Sequence, residues 1–399
     1  MRLTSASWPY SFVFSLFLFS PFDLAASLAM DLYLPAVPFM SSALGVSSDF
    51  IQLTLTAYML LLGTGQLVFG PISDSMGRRP VLLLGGGVFV VSSFGLALTE
   101  SGFVFLGLRF AQACGASACL VATFATVRDI YAGRPEGNQI YGILGSLLAL
   151  VPAFGPVLGA YIHTCFGWRA IFMTLAVFML IPLAAASWLW PETRKKQTTK
   201  SKISQLVLPL KSLDFWRYTL GYSAGMGAFF VYFSTAPGVM IKRLGFSELD
   251  FSFIFASVAL VMMAVARFIG KRTSIWGLEK TLARAMYCLL SGAFLMALAE
   301  MAGFFSVLCY MAPMWVIAWG IAMAAAVGPN GALKGLDHLA GAATAVYYTL
   351  GGLILGIGGT ISVLLCPKDT GWPVAIYCFI IPLVVLSLRG RKDYVSKVN

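Results

Sequence analysis

The chain has 399 residues, 59% of them hydrophobic and only 11% charged, with a formal net charge of +11. An ordinary soluble surface draws on about a quarter charged residues, so this composition excludes one. The positive excess does not indicate nucleic acid either, because the basic residues sit in short breaks between apolar runs and not on one soluble face.

In chain order, the apolar runs predict spans at roughly 10–33, 49–71, 80–98, 102–124, 139–163 and 168–190. After a polar, basic stretch come spans at roughly 215–236, 249–269, 281–302, 305–328, 339–365 and 371–389. Crossing a hydrocarbon core about 30 Å thick takes roughly 20 helical residues. The runs are continuous, whereas a membrane barrel alternates apolar and polar residues in segments of about ten. The expected fold class is all-α integral membrane, with twelve transmembrane helices in two six-helix bundles. The N-terminal bundle covers residues 1–190, a basic cytoplasmic linker 191–214, and the C-terminal bundle 215–399. The first run holds Asp23 and is followed by many spans, so it is read as a retained helix and not as a leader.

Lysines and arginines in the breaks set the orientation. With the N-terminus inside, the inner breaks hold Arg78, Arg79, Arg128 and Arg134, then the cluster Arg194, Lys195, Lys196, Lys200, Lys202 and Lys211. Lys271, Arg272, Lys334, Arg389, Arg391 and Lys392 follow on the same side. The outer breaks hold little beyond Arg169, Lys242, Arg243 and Lys368, so both termini are expected in the cytoplasm. Seven cysteines occur singly, mostly inside apolar runs, and are read as buried core residues. His163 and His338 lack metal-ligand spacing.

Charges inside apolar runs carry the chemistry. In the first span, PFDLAASLAMDLYLP sets Asp23 and Asp31 eight residues apart, about two turns, on nearly the same face. Ser27 and Met30 share this stretch and are assigned, with Asp23, to the cargo cavity. Arg109 lies about 10 Å into the fourth span by helical rise, where a guanidinium needs a partner or a wet cavity. The first and fourth spans run antiparallel, which puts Arg109 nearer the depth of Asp31. The expectation is a polar pair of Asp31 and Arg109, with Asp23 facing the cavity. A carboxylate alternately paired with Arg109 and open to the outside takes up and releases one proton per cycle. Asp23, Asp31 and Arg109 are therefore the proton-coupling candidates. The simpler alternative is a charge pair that only orients two helices.

The break at 70–80 reads GPISDSMGRRP. Gly70 and Gly77 allow a tight turn between close helices. Asp74 can accept charge-assisted bonds from arginine or a neighbouring helix N-terminus, latching the cytoplasmic side, and Arg78 and Arg79 complete the motif. The fifth span, YGILGSLLALVPAFGPVLGAY, contains Gly142, Gly155, Pro156 and Gly159. Small residues let it approach another helix, and the proline removes a donor and can kink it. In the seventh span, Tyr222, Met226, Phe229, Phe230 and Phe233 offer an adaptable aromatic lining, which Tyr347 and Tyr348 of the eleventh extend. An apolar cavity with few polar handles suits a small, largely uncharged amphiphile.

These motifs carry a resemblance. GPISDSMGRRP resembles the loop motif of the major facilitator superfamily, with Ser75 where that family often has arginine. Arg109, Gln112 and Gly115 in LRFAQACGASA resemble its arginine motif. The fifth-span glycines resemble the antiporter signature of drug exporters, although Val151 and Ala160 replace expected glycines. MDLYLPAVP is close to the first-helix signature of the Bcr/CflA branch of drug:proton antiporters. Longer stretches, among them IQLTLTAYMLLLGTGQLVFGPISD, ACLVATFATVRDIYAGRPEG and SAGMGAFFVYFSTAP, resemble the florfenicol and chloramphenicol exporters.

The resemblance implies two pseudo-symmetric halves rocking in alternating access. It also implies proton-coupled efflux of phenicol antibiotics across a bacterial inner membrane, with Asp23 and Arg109 mattering for transport. The chain is expected to act as a monomer without a cofactor, driven by the proton gradient. Its partners are then a small amphipathic drug, protons and membrane lipid, with no nucleic acid.

Two other functions compete. A transporter of the same fold could carry multidrug cations, a sugar or an organic acid; cationic cargo would favour several cavity carboxylates, and both candidates lie in one span. A membrane-embedded enzyme is the distant alternative, for which no metal site, nucleophile–base set or nucleotide loop is legible.

Overall fold

The computed structural model describes residues 8–131, 134–194, 207–303, 306–336, 340–367 and 369–388. Its α-helices begin with α1 (Phe12–Asp31), α2 (Val37–Ala43), α3 (Ser48–Met76), α4 (Arg78–Leu98), α5 (Gly102–Tyr131), α6 (Pro135–Phe166) and α7 (Trp168–Leu189). They continue as α8 (Leu213–Pro237), α9 (Glu248–Trp276), α10 (Leu278–Met301), α11 (Val307–Ala332), α12 (Ala340–Leu365) and α13 (Trp372–Ser387). Among the described residues, 11 helical stretches are long and apolar enough to cross a membrane, the first joining α1 and α2 as Phe12–Ala43. α13, with 16 residues, is shorter. At 1.5 Å per residue it is about 24 Å long, just under the hydrocarbon thickness.

Side-chain caps start many of these helices. Ser11, Ser47, Ser212, Ser247 and Ser306 each accept a backbone N–H from the residue three positions on, satisfying one of the free donors of the first turn. Glycines stop others. α3 runs on to Met76 and α4 starts at Arg78, so the break at 70–80 turns on Gly77 alone, at φ 114. That backbone region favours glycine. Gly70 lies inside α3, where an added Cβ would meet nothing within 4 Å, so the expected turn does not rest on it. Gly167 (φ 79) and Gly277 (φ 76) make the same one-residue turn before α7 and α10.

The chain divides into two compact units, Met1–Thr199 and Lys200–Asn399. The division falls within the stretch read as a linker, which is shorter than 191–214. Leu208–Lys211 forms a 3-10 turn and α8 begins at Leu213. Lys195, Lys196, Lys200, Lys202, His338, Lys368, Arg389, Arg391 and Lys392 lie outside the described residues.

In the first unit α4 packs on α5 and α7, α3 on α5, and α1 on α5, α6 and α7. In the second, α10 packs on α11 and α13, α9 on α11, and α8 on α11, α12 and α13. Position for position, this is one pairing pattern used twice. Large apolar side chains such as Phe17, Phe103, Trp188 and Leu365 are exposed. In water such a surface would aggregate, whereas lipid tails are as apolar as the side chains themselves. The same logic corrects the cysteines. Only Cys119 and Cys378 are buried, and Cys165 is exposed, because a thiol sits as well against lipid as in a core.

Candidate functional site

α5 carries Arg109 into full enclosure, at 0% exposure. Its Nη1 donates to the Ala29 carbonyl at 3.0 Å and to Gln112 Oε1 at 2.7 Å, and Nη2 reaches Met30 Sδ at 3.8 Å. The rings of Tyr58, Tyr33 and Phe172 stand around the guanidinium, with centroids at 4.4, 5.0 and 6.0 Å. Aromatic faces attract a cation more strongly where water is excluded. Gln112 Nε2 donates in turn to Ser93 Oγ of α4 at 2.8 Å, and Ser93 donates to the Phe89 carbonyl at 2.7 Å. Tyr58 is held by its own bond to the Ala26 carbonyl at 2.8 Å.

Arg109 thus meets α1 at Ala29 and Met30, immediately before Asp31. The expected ion pair is not formed: among the described residues, Arg109 has no carboxylate partner. Successive residues turn about 100° around a helix, so Met30 and Asp31 point at different neighbours. Asp31 packs against α6, its Cβ 2.6 Å from where a Cβ on Gly155 would stand. Four residues on, a Cβ on Gly159 would strike the Leu32 carbonyl oxygen. Gly155 and Gly159, with Pro156 between them, therefore seat α6 on the end of α1. A Cβ on Gly142 would meet nothing within 4 Å, so that glycine takes no part in the contact.

Asp23, expected to face a cavity, is fully buried, and among the described residues neither of its carboxylate oxygens has a hydrogen-bond partner. An unpaired acid in such surroundings is a costly arrangement that packing alone does not reward.

At the other end of these helices a second polar cluster forms around the Gly77 turn. Arg78 bonds Asp74 at 2.6 Å, Asp129 at 2.9 Å and Ser73 Oγ at 3.1 Å. The carboxylate of Glu192 accepts the backbone N–H groups of Arg78 and Arg79 at 2.9 and 3.2 Å, capping α4. Arg79 reaches the Ser187 carbonyl at 2.6 Å, and Arg194 donates to the Ser75 carbonyl. Sequence reasoning missed Asp129 and Glu192. Asp129 stands in the quoted run ATVRDIYAGRPEG, and Glu192 is an acid at the start of a basic stretch; neither local pattern names a partner.

In the second unit Tyr222, Tyr347 and Tyr348 form one cluster, with centroids 5.2, 5.7 and 5.0 Å apart. Tyr348 is exposed, while Tyr347 is buried with its phenol oxygen unpartnered. Gly351 makes room for this cluster, since a Cβ there would come within 2.9 Å of the Tyr222 ring. Tyr222, Met226 and Phe229 are half-buried along one stripe of α8. Phe230 and Phe233 are buried instead, the first against Gly359 of α12 and the second against Phe255 of α9, so they pack the unit and do not line an open face. Ser27 is half-buried, and Met30 lies buried under Arg109.

Two six-helix units on one pairing pattern, with an arginine caged in rings and an acid buried inside the spans, define a multi-pass membrane transporter. The profile of the Major Facilitator Superfamily matches residues 23–359, and the chain belongs to that family. It is 57% identical, over 97% of its length and 93% of the relative's, to a chloramphenicol resistance protein of Pseudomonas aeruginosa. The multidrug resistance protein MdtL of Escherichia coli O127:H6 is 27% identical over 59% of this chain and 61% of its own. A D-xylose-proton symporter structure shares the fold at a TM-score of 0.75, with 14% identity, covering 95% of this chain and 98% of that one.

Proposed function

We propose that this transporter exports phenicol antibiotics such as chloramphenicol and florfenicol in exchange for protons, by alternating access. The observation that carries this is the 57% identity, over 97% of the chain, to a chloramphenicol resistance protein. The chemistry of the chain agrees with such a cargo. Phenicols are neutral, with an aromatic ring and hydroxyls. The tyrosine cluster of the second unit presents ring faces for stacking, and Asp23, without a hydrogen-bond partner among the described residues, is an acid that can bond a hydroxyl.

Asp23 and Asp31 are the groups that exchange protons, and Arg109 is the fixed cation bonded to the same helix at Ala29 and Met30. No cofactor is needed, the proton gradient supplies the energy, and the chain is a transporter and not an enzyme. It works as a monomer in the inner membrane of a Gram-negative bacterium with both termini cytoplasmic. Residues 1–190 and 215–399 act as its two halves.

The test is expression in a pump-deficient strain challenged with chloramphenicol, florfenicol and a cationic dye, followed by drug-triggered proton release in vesicles. Phenicol tolerance should rise, and at least one of Asp23→Asn and Asp31→Asn should abolish proton release. Protection against the dye alone overturns the cargo, and full release in both variants overturns the coupling.

A further inference from the structure

On the flank of the first unit a groove of about 830 Å³ runs between α4, α6 and α7, with Ala97, Phe166, Met173, Val177 and Phe178 among its walls and Arg169 at one end. Arg169 is exposed, and its guanidinium lies 4.3 Å from the ring centroid of Trp168. Among the described residues it has no carboxylate partner. Both residues open α7 just after the Gly167 turn, which places them at a membrane interface, where tryptophan and basic side chains gather. Phe178 stands nine residues further along α7, about 13 Å deeper by helical rise. The hydrocarbon of one leaflet is about 15 Å deep. The groove therefore extends from a cation at headgroup level to the floor of a single leaflet.

We propose that this groove binds an anionic phospholipid, with its phosphate on Arg169 and an acyl chain along Met173, Val177 and Phe178. The single cation selects the headgroup, because a zwitterionic lipid answers much of its own phosphate charge while phosphatidylglycerol does not. A neutral drug would use the walls and leave Arg169 unanswered. On the orientation proposed above, the groove also opens to the outer leaflet, away from the side where an exporter takes its cargo. The site itself is built from one unit and is independent of both that orientation and the cargo.

Native mass spectrometry of the purified full chain, titrated with dioleoyl phosphatidylglycerol or dioleoyl phosphatidylcholine, tests this. One phosphatidylglycerol should stay bound at activation energies that strip phosphatidylcholine. Arg169→Ala should lower its retention about fivefold, Arg169→Lys should recover most of it, and Met173→Trp, which fills the groove, should also release the lipid. Arg134→Ala removes an exposed cation at the opposite helix ends and should change nothing. Lipid-free melting confirms that each variant is folded, and Arg169→Ala alone, being a surface change, suffices for the test. Equal retention of both lipids, undiminished retention in Arg169→Ala, or displacement of the lipid by chloramphenicol overturns the assignment.

Discussion

A guanidinium taken out of water must replace several hydrogen bonds, and Arg109 does so only in part, its Nε having no partner and, among the described residues, no carboxylate facing it. A carbonyl, an amide oxygen and three aromatic faces stand in for solvent. Gln112 is the joint of this arrangement, because it accepts from Arg109 and donates to Ser93. Gln112→Leu should therefore cost about 1–3 kcal/mol of stability, the penalty for stranding a buried donor, and reduce phenicol export with it. Ser93→Ala should cost about 1 kcal/mol, since it removes one neutral bond. Melting curves of the two variants check this, and unchanged midpoints in both would mean that Arg109 is held by the Ala29 carbonyl and its aromatic cage without Gln112.

Among the helices, the contact of α6 with α1 has the sharpest steric definition. A methyl group at Gly159 would collide with the Leu32 backbone, which no side-chain movement relieves. At Gly155 it would come 2.6 Å from the Asp31 Cβ, a milder clash that only a small parting of the two helices relieves. At Gly142 it would meet nothing within 4 Å. Export should accordingly vanish in Gly159→Ala, fall partly in Gly155→Ala and persist in Gly142→Ala, read as chloramphenicol tolerance at matched protein levels. An equal loss in all three would show that these glycines serve backbone flexibility and not the approach to α1.

For the molecule as a whole, the repeated pairing of helices accounts for the two compact units. Each six-helix set buries its first and fourth members against several neighbours. The distribution of basic residues then sets the direction of insertion. Alkaline phosphatase, active only outside the cytoplasm, should be active when fused after Arg243 and inactive when fused after Arg194. The opposite pattern would reverse every statement about leaflets and sides while leaving the fold intact.

The spans, their division into six and six and the three charges inside them were legible from the chain because hydropathy is a local sum. A charge within twenty apolar residues stands out whatever surrounds it. The ends of the helices were not, since α3 continues through polar residues to Met76, beyond the apolar stretch that hydropathy detects. Partners were not legible either. Which way Asp31 points depends on Gly155 of α6, and what caps α4 depends on Glu192, more than a hundred residues away. The sequence by itself determined a twelve-span transporter with acids and an arginine in the membrane. Only the tertiary structure decided that Arg109 is bonded to a carbonyl and a glutamine, that Asp23 is fully buried, and that Asp31 faces the glycines of α6. Side-chain direction is set by the packing of distant helices, which no local pattern encodes.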